Sequence, residues 1–191
     1  DTINGGLGSD VITGGNGIDT IDLGAGDGAV DTVVAPSAAA NRDIITSFNA
    51  GATNGDIIRL PDSKANNAAH GATAAVTGDF IAAGTGVAAS GNITGAAGAF
   101  IYKISVETVS TLSTDGASVL NATTTGAANS GTITAANAAD ILYFLISDGT
   151  NVGIYRGVAS GVAADTAVTA NEIALIGVLN NTTLASVTFD N

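Results

Sequence analysis

The opening "DTINGGLGSDVITGGNGIDTID" sets an aspartate at every ninth position, Asp1, Asp10 and Asp19, each two residues before an isoleucine, with glycine filling much of the space between. Two segments, "GGLGSDVIT" and "GGNGIDTID", fit one nine-residue unit, G-G-x-G-x-D-x-U-x with U apolar, and "DTIN" is the tail of an earlier copy. A glycine-rich linker does not hold apolar residues in register with its acids, so a flexible spacer does not account for the pattern. A dinucleotide-binding turn does not either: "GAGDGA" at Gly24 is followed by strand-like "VDTVV" and then Pro36, where that fingerprint needs a helix.

Charge follows the same beat. Seventeen acids against five bases give a net charge of −12, and no base precedes Arg42. Six of the acids fall in the first 31 residues. Such a chain repels nucleic acid and anionic membrane surface and attracts cations. Cysteine and methionine are absent, which excludes a disulfide framework and thiolate metal sites and suits a bulk extracellular protein. The two charge-free stretches, residues 80–102 and 117–139, are too rich in Gly, Thr, Asn and Ala to read as membrane spans. The glycine pair at 91 and 95 is accordingly not a helix-packing face.

The nine-residue unit resembles the RTX repeat, the hemolysin-type calcium-binding repeat of proteins exported by the bacterial type I secretion pathway. The resemblance implies glycine-rich turns alternating with short strands, two units to each coil of a parallel β-roll. Physical chemistry agrees with it. Glycine admits the positive φ that a tight turn needs and lets carbonyls converge on one ion. Ile3, Ile12 and Ile21 then face a shared interior while the carboxylates line the turns. Calcium is the ion implied, since a hard cation takes six to eight oxygens and accepts carbonyls mixed with carboxylates. The expected ligands are the carboxylates of Asp1, Asp10 and Asp19 and the carbonyls of Gly6, Gly8, Gly15, Gly17, Gly24 and Gly26. In the irregular third unit, "LGAGDGAVDTVV", either Asp27 or Asp31 holds the ligand position.

The likeness continues downstream. Residues 42–60, "RDIITSFNAGATNGDIIRL", resemble the segment that follows RTX repeats, with Ile44, Phe48, Ile57 and Leu60 expected to close the end of the roll and Asp43 and Asp56 available to a last ion. The pieces "ILYFLISDGTNVGIYRG" and "IALIGVLNNTTLASVTFDN" resemble that pathway's C-terminal target segment, although here Phe189 precedes Asp190. In that family the signal is not cleaved, which would explain why no cationic leader is visible, and the opening in mid-repeat suggests a fragment of something longer.

Beyond the repeats the chain reads as strands. "FIYKISVETV", "DILYFLIS" and "NVGIYRGV" are β-branched and aromatic runs of strand length, and "SDGTN" joins the last two as a hairpin. Only "TANEIALIGVL" keeps a short helix open. The expected fold class is therefore all-β: a parallel β-roll and its cap over residues 1–62, then a mainly antiparallel, β-sandwich-like region over 63–191 whose export segment spans about 140–191.

No catalytic machinery is legible. His70 stands alone in a loop, without the second imidazole of a zinc site, and no G-x-S-x-G nucleophile elbow occurs. The sequence is thus expected to be non-enzymatic and without a membrane span, and the resemblance implies secretion to the surface or surroundings of a Gram-negative bacterium, where the acidic, Cys-free, Ala/Thr/Gly-rich composition resembles that of surface-layer proteins. Its expected partners are identical subunits in a surface layer or filament, and the export machinery in transit. The alternative is a calcium-binding, secretion-competent tail of a larger enzyme or adhesin.

Overall fold

The computed structural model describes residues 1–50, 54–61, 93–94, 101–104, 109, 111–116, 119, 133–134, 141–159 and 167–187. His70, most of the low-complexity stretch and the ending at Phe189 and Asp190 lie outside them.

Six strands of two to four residues follow one another in the repeat region: β1 (Thr2–Asn4), β2 (Val11–Ile12), β3 (Thr20–Asp22), β4 (Thr32–Val34), β5 (Asp43–Thr46) and β6 (Ile57–Arg59). They are dealt alternately to two sheets, β1, β3 and β5 pairing in parallel in one and β2, β4 and β6 in the other. Each glycine-rich turn carries the chain from one sheet to its neighbour. Ile3 lies opposite Ile21, 18 residues on, and Ile12 opposite Val33, 21 residues on, so the three extra residues of the third unit are absorbed in its turn. Ile12, Ile21, Val33, Ile45 and Ile58 are buried between the sheets, with Ile3 packed against them at the N-terminal end. The interior expected of Ile3, Ile12 and Ile21 is therefore present.

In the fifth and sixth strands the inward positions are Ile45 and Ile58, whereas Ile44 and Ile57 are only half-buried. The pairing of Ile21 with Ile45 and of Val33 with Ile58 fixes this. Asp43 and Asp56 thereby continue the repeat's own spacing, with the apolar residue two places after the acid.

The remaining strands are β7 (Ile93–Thr94), β8 (Ile101–Ile104), β9 (Ile133–Thr134), β10 (Ile141–Ser147), β11 (Val152–Val158), β12 (Ala167–Val168) and β13 (Ile173–Leu179). β10 and β11 form the hairpin read from "SDGTN", with Ser147 opposite Val152. Asp148 organises its loop by accepting the amides of Thr150 and Asn151 at 2.9 and 2.7 Å, and Gly149 supplies φ +95°. The segment left open to a helix is a 3₁₀ turn, Ala170–Glu172, running into β13. Val, Ile and Leu on both faces of "IALIGVL" find two apolar layers to bury in, which a helix with a single stripe cannot satisfy.

The fold is all-β with mixed pairing. One seven-stranded sheet runs β1-β3-β5-β13-β11-β10-β8, flanked by the sheets β2-β4-β6 and β12-β9-β7. Parallel pairing is not confined to the repeats, since β13 is parallel to β5 and β8 to β10. The central sheet is apolar on both faces. Tyr143 and Leu145 join the core shared with the repeats, while Leu142, Phe144 and Ile146 join a second core with Ile133 and Val168 of the small sheet. That alternation is the period of two expected for a strand covered on both sides. A bulge opposite Ile154 and Tyr155 resets the alternation along β13, so that Ile176 and Leu179, three residues apart, both enter the first core.

Candidate functional site: two carboxylate columns

The alternation of strands sorts the repeat aspartates into two columns. Asp1, Asp19 and Asp43 stand at the starts of β1, β3 and β5, and Asp10, Asp31 and Asp56 at the starts of β2, β4 and β6. Within a column each main-chain nitrogen points at the carboxylate one coil further on. The Asp1 nitrogen lies 2.5 Å from Asp19 Oδ1, the Asp10 amide donates to Asp31 Oδ1 at 2.8 Å, and the Asp31 amide to Asp56 Oδ1 at 3.0 Å. Asp19's amide likewise donates to the Asp43 carboxylate. This answers which acid of the third unit succeeds Asp10: Asp31 does, and it is 1 % exposed.

Asp27 lies in the turn above, accepting the amides of Ala29 at 3.0 Å and Gly8 at 2.7 Å, which hold its carboxyl below the usual carboxylate range. On the other side of the stack the Gly17 amide, equivalent to that of Gly8, donates to Asn41 Oδ1 at 3.0 Å. Asn41 and Asp22 are the turn residues that sequence reasoning missed. Asp22 accepts Ser47 Oγ at 2.7 Å and the Gly24 amide at 3.2 Å, and these bonds lower its pKa. Asp22's place at the last position of its unit was a readable signal. Asn41's link to Gly17 was hidden by the irregular spacing between β4 and β5.

The six glycines nominated for their carbonyls, Gly6, Gly8, Gly15, Gly17, Gly24 and Gly26, all have positive φ, between +78° and +101°. Glycine is the residue that holds this conformation without strain, so the turns explain the composition. The turns also stack closely: a β-carbon on Gly24 would sit 2.0 Å from the Gly6 carbonyl oxygen.

Electrostatically the columns are incomplete. Asp10 Oδ2, Asp19 Oδ2 and Asp43 Oδ1 are buried without a hydrogen-bond partner, and Asp19 and Asp43 as whole residues are 0 % and 2 % exposed. Both of those carboxylates crowd Gly14, where an added β-carbon would lie 2.6–2.8 Å from three of their oxygens. Burial raises the Asp43 pKa to about 6, the adjacent Asp19 charge adds to it, and the Asp19 amide opposes it. Burial likewise raises Asp56, against the amides of Asn49 and Asp31. Unpartnered buried carboxylate oxygens beside a second carboxylate are costly unless a cation or proton offsets them.

A pH dependence follows for the cation-free protein. A carboxyl whose folded pKa lies above its ordinary 3.8 binds protons more tightly when folded, so the contribution of Asp43 to stability is fully present below about 3.8 and is lost as pH rises through about 6. In chelator the strand signal of the repeats should be weaker at pH 7.5 than at pH 4.5, and Asp43→Asn should flatten the difference.

Among the described residues no three acidic, His or Cys side chains converge on one point, so a cation seated here needs main-chain carbonyls in its shell. The donor set fits a hard oxygen-seeking ion: orphaned carboxylate oxygens and glycine-rich turns in left-handed conformation. Among the described residues no helix is long and apolar enough to cross a membrane. Comparison with protein-family models, with curated proteins and with solved structures finds no match to this chain.

Proposed function

We propose that this chain is a secreted, non-enzymatic structural protein whose repeats form an RTX-type β-roll that folds on binding calcium. The observation that carries the reading is the pair of carboxylate columns, with buried, unpartnered oxygens on Asp10, Asp19 and Asp43. Ions bound in the columns would supply the positive charge that six aligned carboxylates lack. The residues assigned to them are Asp10, Asp31 and Asp56 on one side and Asp1, Asp19 and Asp43 on the other, with carbonyls from the turns at Gly6, Gly8, Gly15, Gly17, Gly24 and Gly26. Asp27 tunes the first column from its turn.

Calcium in this role couples folding to location. Without a cation, like charges in each column repel and the glycine turns carry a large ordering entropy, so the repeats favour the unfolded, threadable chain. Extracellular calcium modules bind at about 10⁻⁴ to 10⁻³ M, and that binding free energy becomes folding free energy. The likeness to type I export substrates supports a route out of a Gram-negative cell by a C-terminal signal. The acidic, Cys-free, Ala/Thr/Gly-rich composition resembles that of surface-layer proteins exported by this route, and self-assembly into a surface layer or filament is inferred from that resemblance. As a second reading, a tail that binds calcium and directs export of a larger protein uses the same columns without assembly.

Calcium titration followed by circular dichroism tests the core of this reading. Strand signal should rise cooperatively in the sub-millimolar to millimolar range, and Asp10→Ala should shift the midpoint to higher calcium by several-fold. A titration unchanged in Asp10→Ala removes that residue from the ligand set, and a spectrum indifferent to calcium overturns the reading. Electron microscopy with and without chelator then separates assembly from a monomeric export module.

A further inference from the structure

Three asparagines of this chain are followed directly by glycine: Asn4-Gly5, Asn16-Gly17 and Asn54-Gly55. In such a pair the nitrogen of the glycine amide can attack the carbonyl carbon of the asparagine side chain, and glycine presents that nitrogen with no β-carbon in the way and with the widest choice of backbone angles. The reaction is intramolecular, so its rate is set by whether the amide is free to turn toward the side chain. All three asparagine side chains are exposed, so access to water does not distinguish them. Their glycine amides do.

Gly5 follows β1 directly, and its amide donates to the Asp22 carbonyl at 2.8 Å, extending the pairing of β1 with β3. The Gly17 amide donates to Asn41 Oδ1 at 3.0 Å, which ties the second turn to the next coil. Either nitrogen is released only when neighbouring coils part, an opening that the packed stack resists. Gly55 lies two residues before β6, and among the described residues its amide meets no acceptor. The groups on either side of it are engaged with Asn49. The Asn54 carbonyl accepts Asn49 Nδ2 at 3.0 Å, the Asp56 amide donates to the Asn49 carbonyl at 2.8 Å, and Asp56 Oδ2 accepts the Asn49 amide at 2.7 Å.

We propose that Asn54-Gly55 is a self-modification site: in the folded protein the Gly55 nitrogen closes on the Asn54 side chain, while the same folding withholds this reaction from Asn4 and Asn16. A bond forms between the Gly55 nitrogen and Asn54 Cγ, and the bond from Cγ to Nδ2 breaks. The Gly55 amide proton passes to solvent base, and the departing nitrogen takes a proton from solvent and leaves as ammonia. Water then opens the five-membered ring at one of its two carbonyls, giving aspartate, or isoaspartate with the main chain routed through the former side chain. Oxidation states do not change, and water is the co-reactant. Either product adds a negative charge two residues before Asp56, the last acid of its column, and isoaspartate lengthens by a methylene the loop that positions the Asp56 carboxylate. The proposal does not rest on the calcium reading and holds whichever ion fills the columns.

Peptide mapping of the full chain by mass spectrometry, after incubation in mildly alkaline buffer, tests this. The incubation is made where exchange at the Thr20 and Thr32 amides, which donate to the Asp1 and Asp10 carbonyls, shows the coils to be paired. Position 54 should then deamidate about tenfold or more faster than positions 4 and 16, a ratio set by how seldom the coils open. In denaturant the three rates should converge, since each asparagine has the same neighbour. Equal rates at the three positions in the folded chain, or a slowing at position 54 on folding that matches the slowing at 4 and 16, overturns the proposal. Asn54→Gln puts the side-chain carbonyl out of reach of a five-membered ring and should all but abolish the reaction there; persistence at the unsubstituted rate would rule out the ring route. The isoaspartate fraction, separated by ion exchange, should lose exchange protection at the Asn49 and Asp56 amides while the hairpin amides of Tyr143 and Leu145 keep theirs. Protection retained at Asn49 and Asp56 would overturn the effect on the loop.

Discussion

Gly24→Ala is expected to destabilise the folded protein by about 3 kcal/mol or more, against about 1–2 kcal/mol for Gly6→Ala. The two glycines have almost the same backbone, φ +89° and +91°, so the cost of placing an L side chain in the left-handed region is common to both. They differ in what surrounds them. Nothing lies within 4 Å of a β-carbon on Gly6, whereas one on Gly24 meets the Gly6 carbonyl oxygen at 2.0 Å and its carbon at 3.1 Å. Both clashing atoms are main chain, so relief requires the third turn to lift off the first. Because the same turns carry the proposed calcium carbonyls, Gly24→Ala should also raise the calcium midpoint, while Gly6→Ala leaves it nearer its original value. Denaturant unfolding at fixed calcium measures the stabilities. Equal losses in the two variants would mean that the turns do not stack in this way.

Phe144→Ala is expected to cost about 3–5 kcal/mol, the usual range for emptying a buried aromatic site. Phe144 is 0 % exposed, pairs across the hairpin with Tyr155, and lies in the core that faces away from the repeats. Tyr155 has little freedom to fill the gap, since its hydroxyl is held by the Ser113 carbonyl at 2.9 Å. The larger consequence is that the loss should be felt by the repeats. β10 reaches β5 through β11 and β13 within one continuous sheet, and the opposite face of β10 packs Tyr143 and Leu145 into the repeat core. Loss of the near-ultraviolet tyrosine signal and exchange at Thr20 and Thr32 should therefore move together to lower denaturant. A repeat transition that stays in place while the tyrosine signal moves would show that the two regions unfold separately.

What was legible in the chain was whatever is repeated or local. The Asp-x-Ile beat placed Asp1, Asp10 and Asp19 at strand starts and Ile3, Ile12 and Ile21 inside, because period and pleat are properties of a few consecutive residues. The glycines of the units carried their own conformational signature, and "SDGTN" its own turn. The choice between Asp31 and Asp27 was not legible, since an inserted turn breaks the count and only pairing of Val11 with Thr32 restores it. Ile44 and Ile57 were expected to close the stack because they are apolar and near the right place. Their neighbours Ile45 and Ile58 are the buried pair because the parallel register with Ile21 and Val33 decides which face turns inward.

The sequence by itself determined that this is an acidic, glycine-turned, all-β chain with carboxylates in step with an apolar interior, because each of those features is written within a nine-residue unit. Only the tertiary structure decided that "IALIGVL" is a strand, that it lies against Asp43, and that the repeats and the C-terminal hairpin belong to one sheet. Those outcomes turn on edges and apolar faces from opposite ends of the chain satisfying one another, and no local pattern records which distant edge a strand will meet.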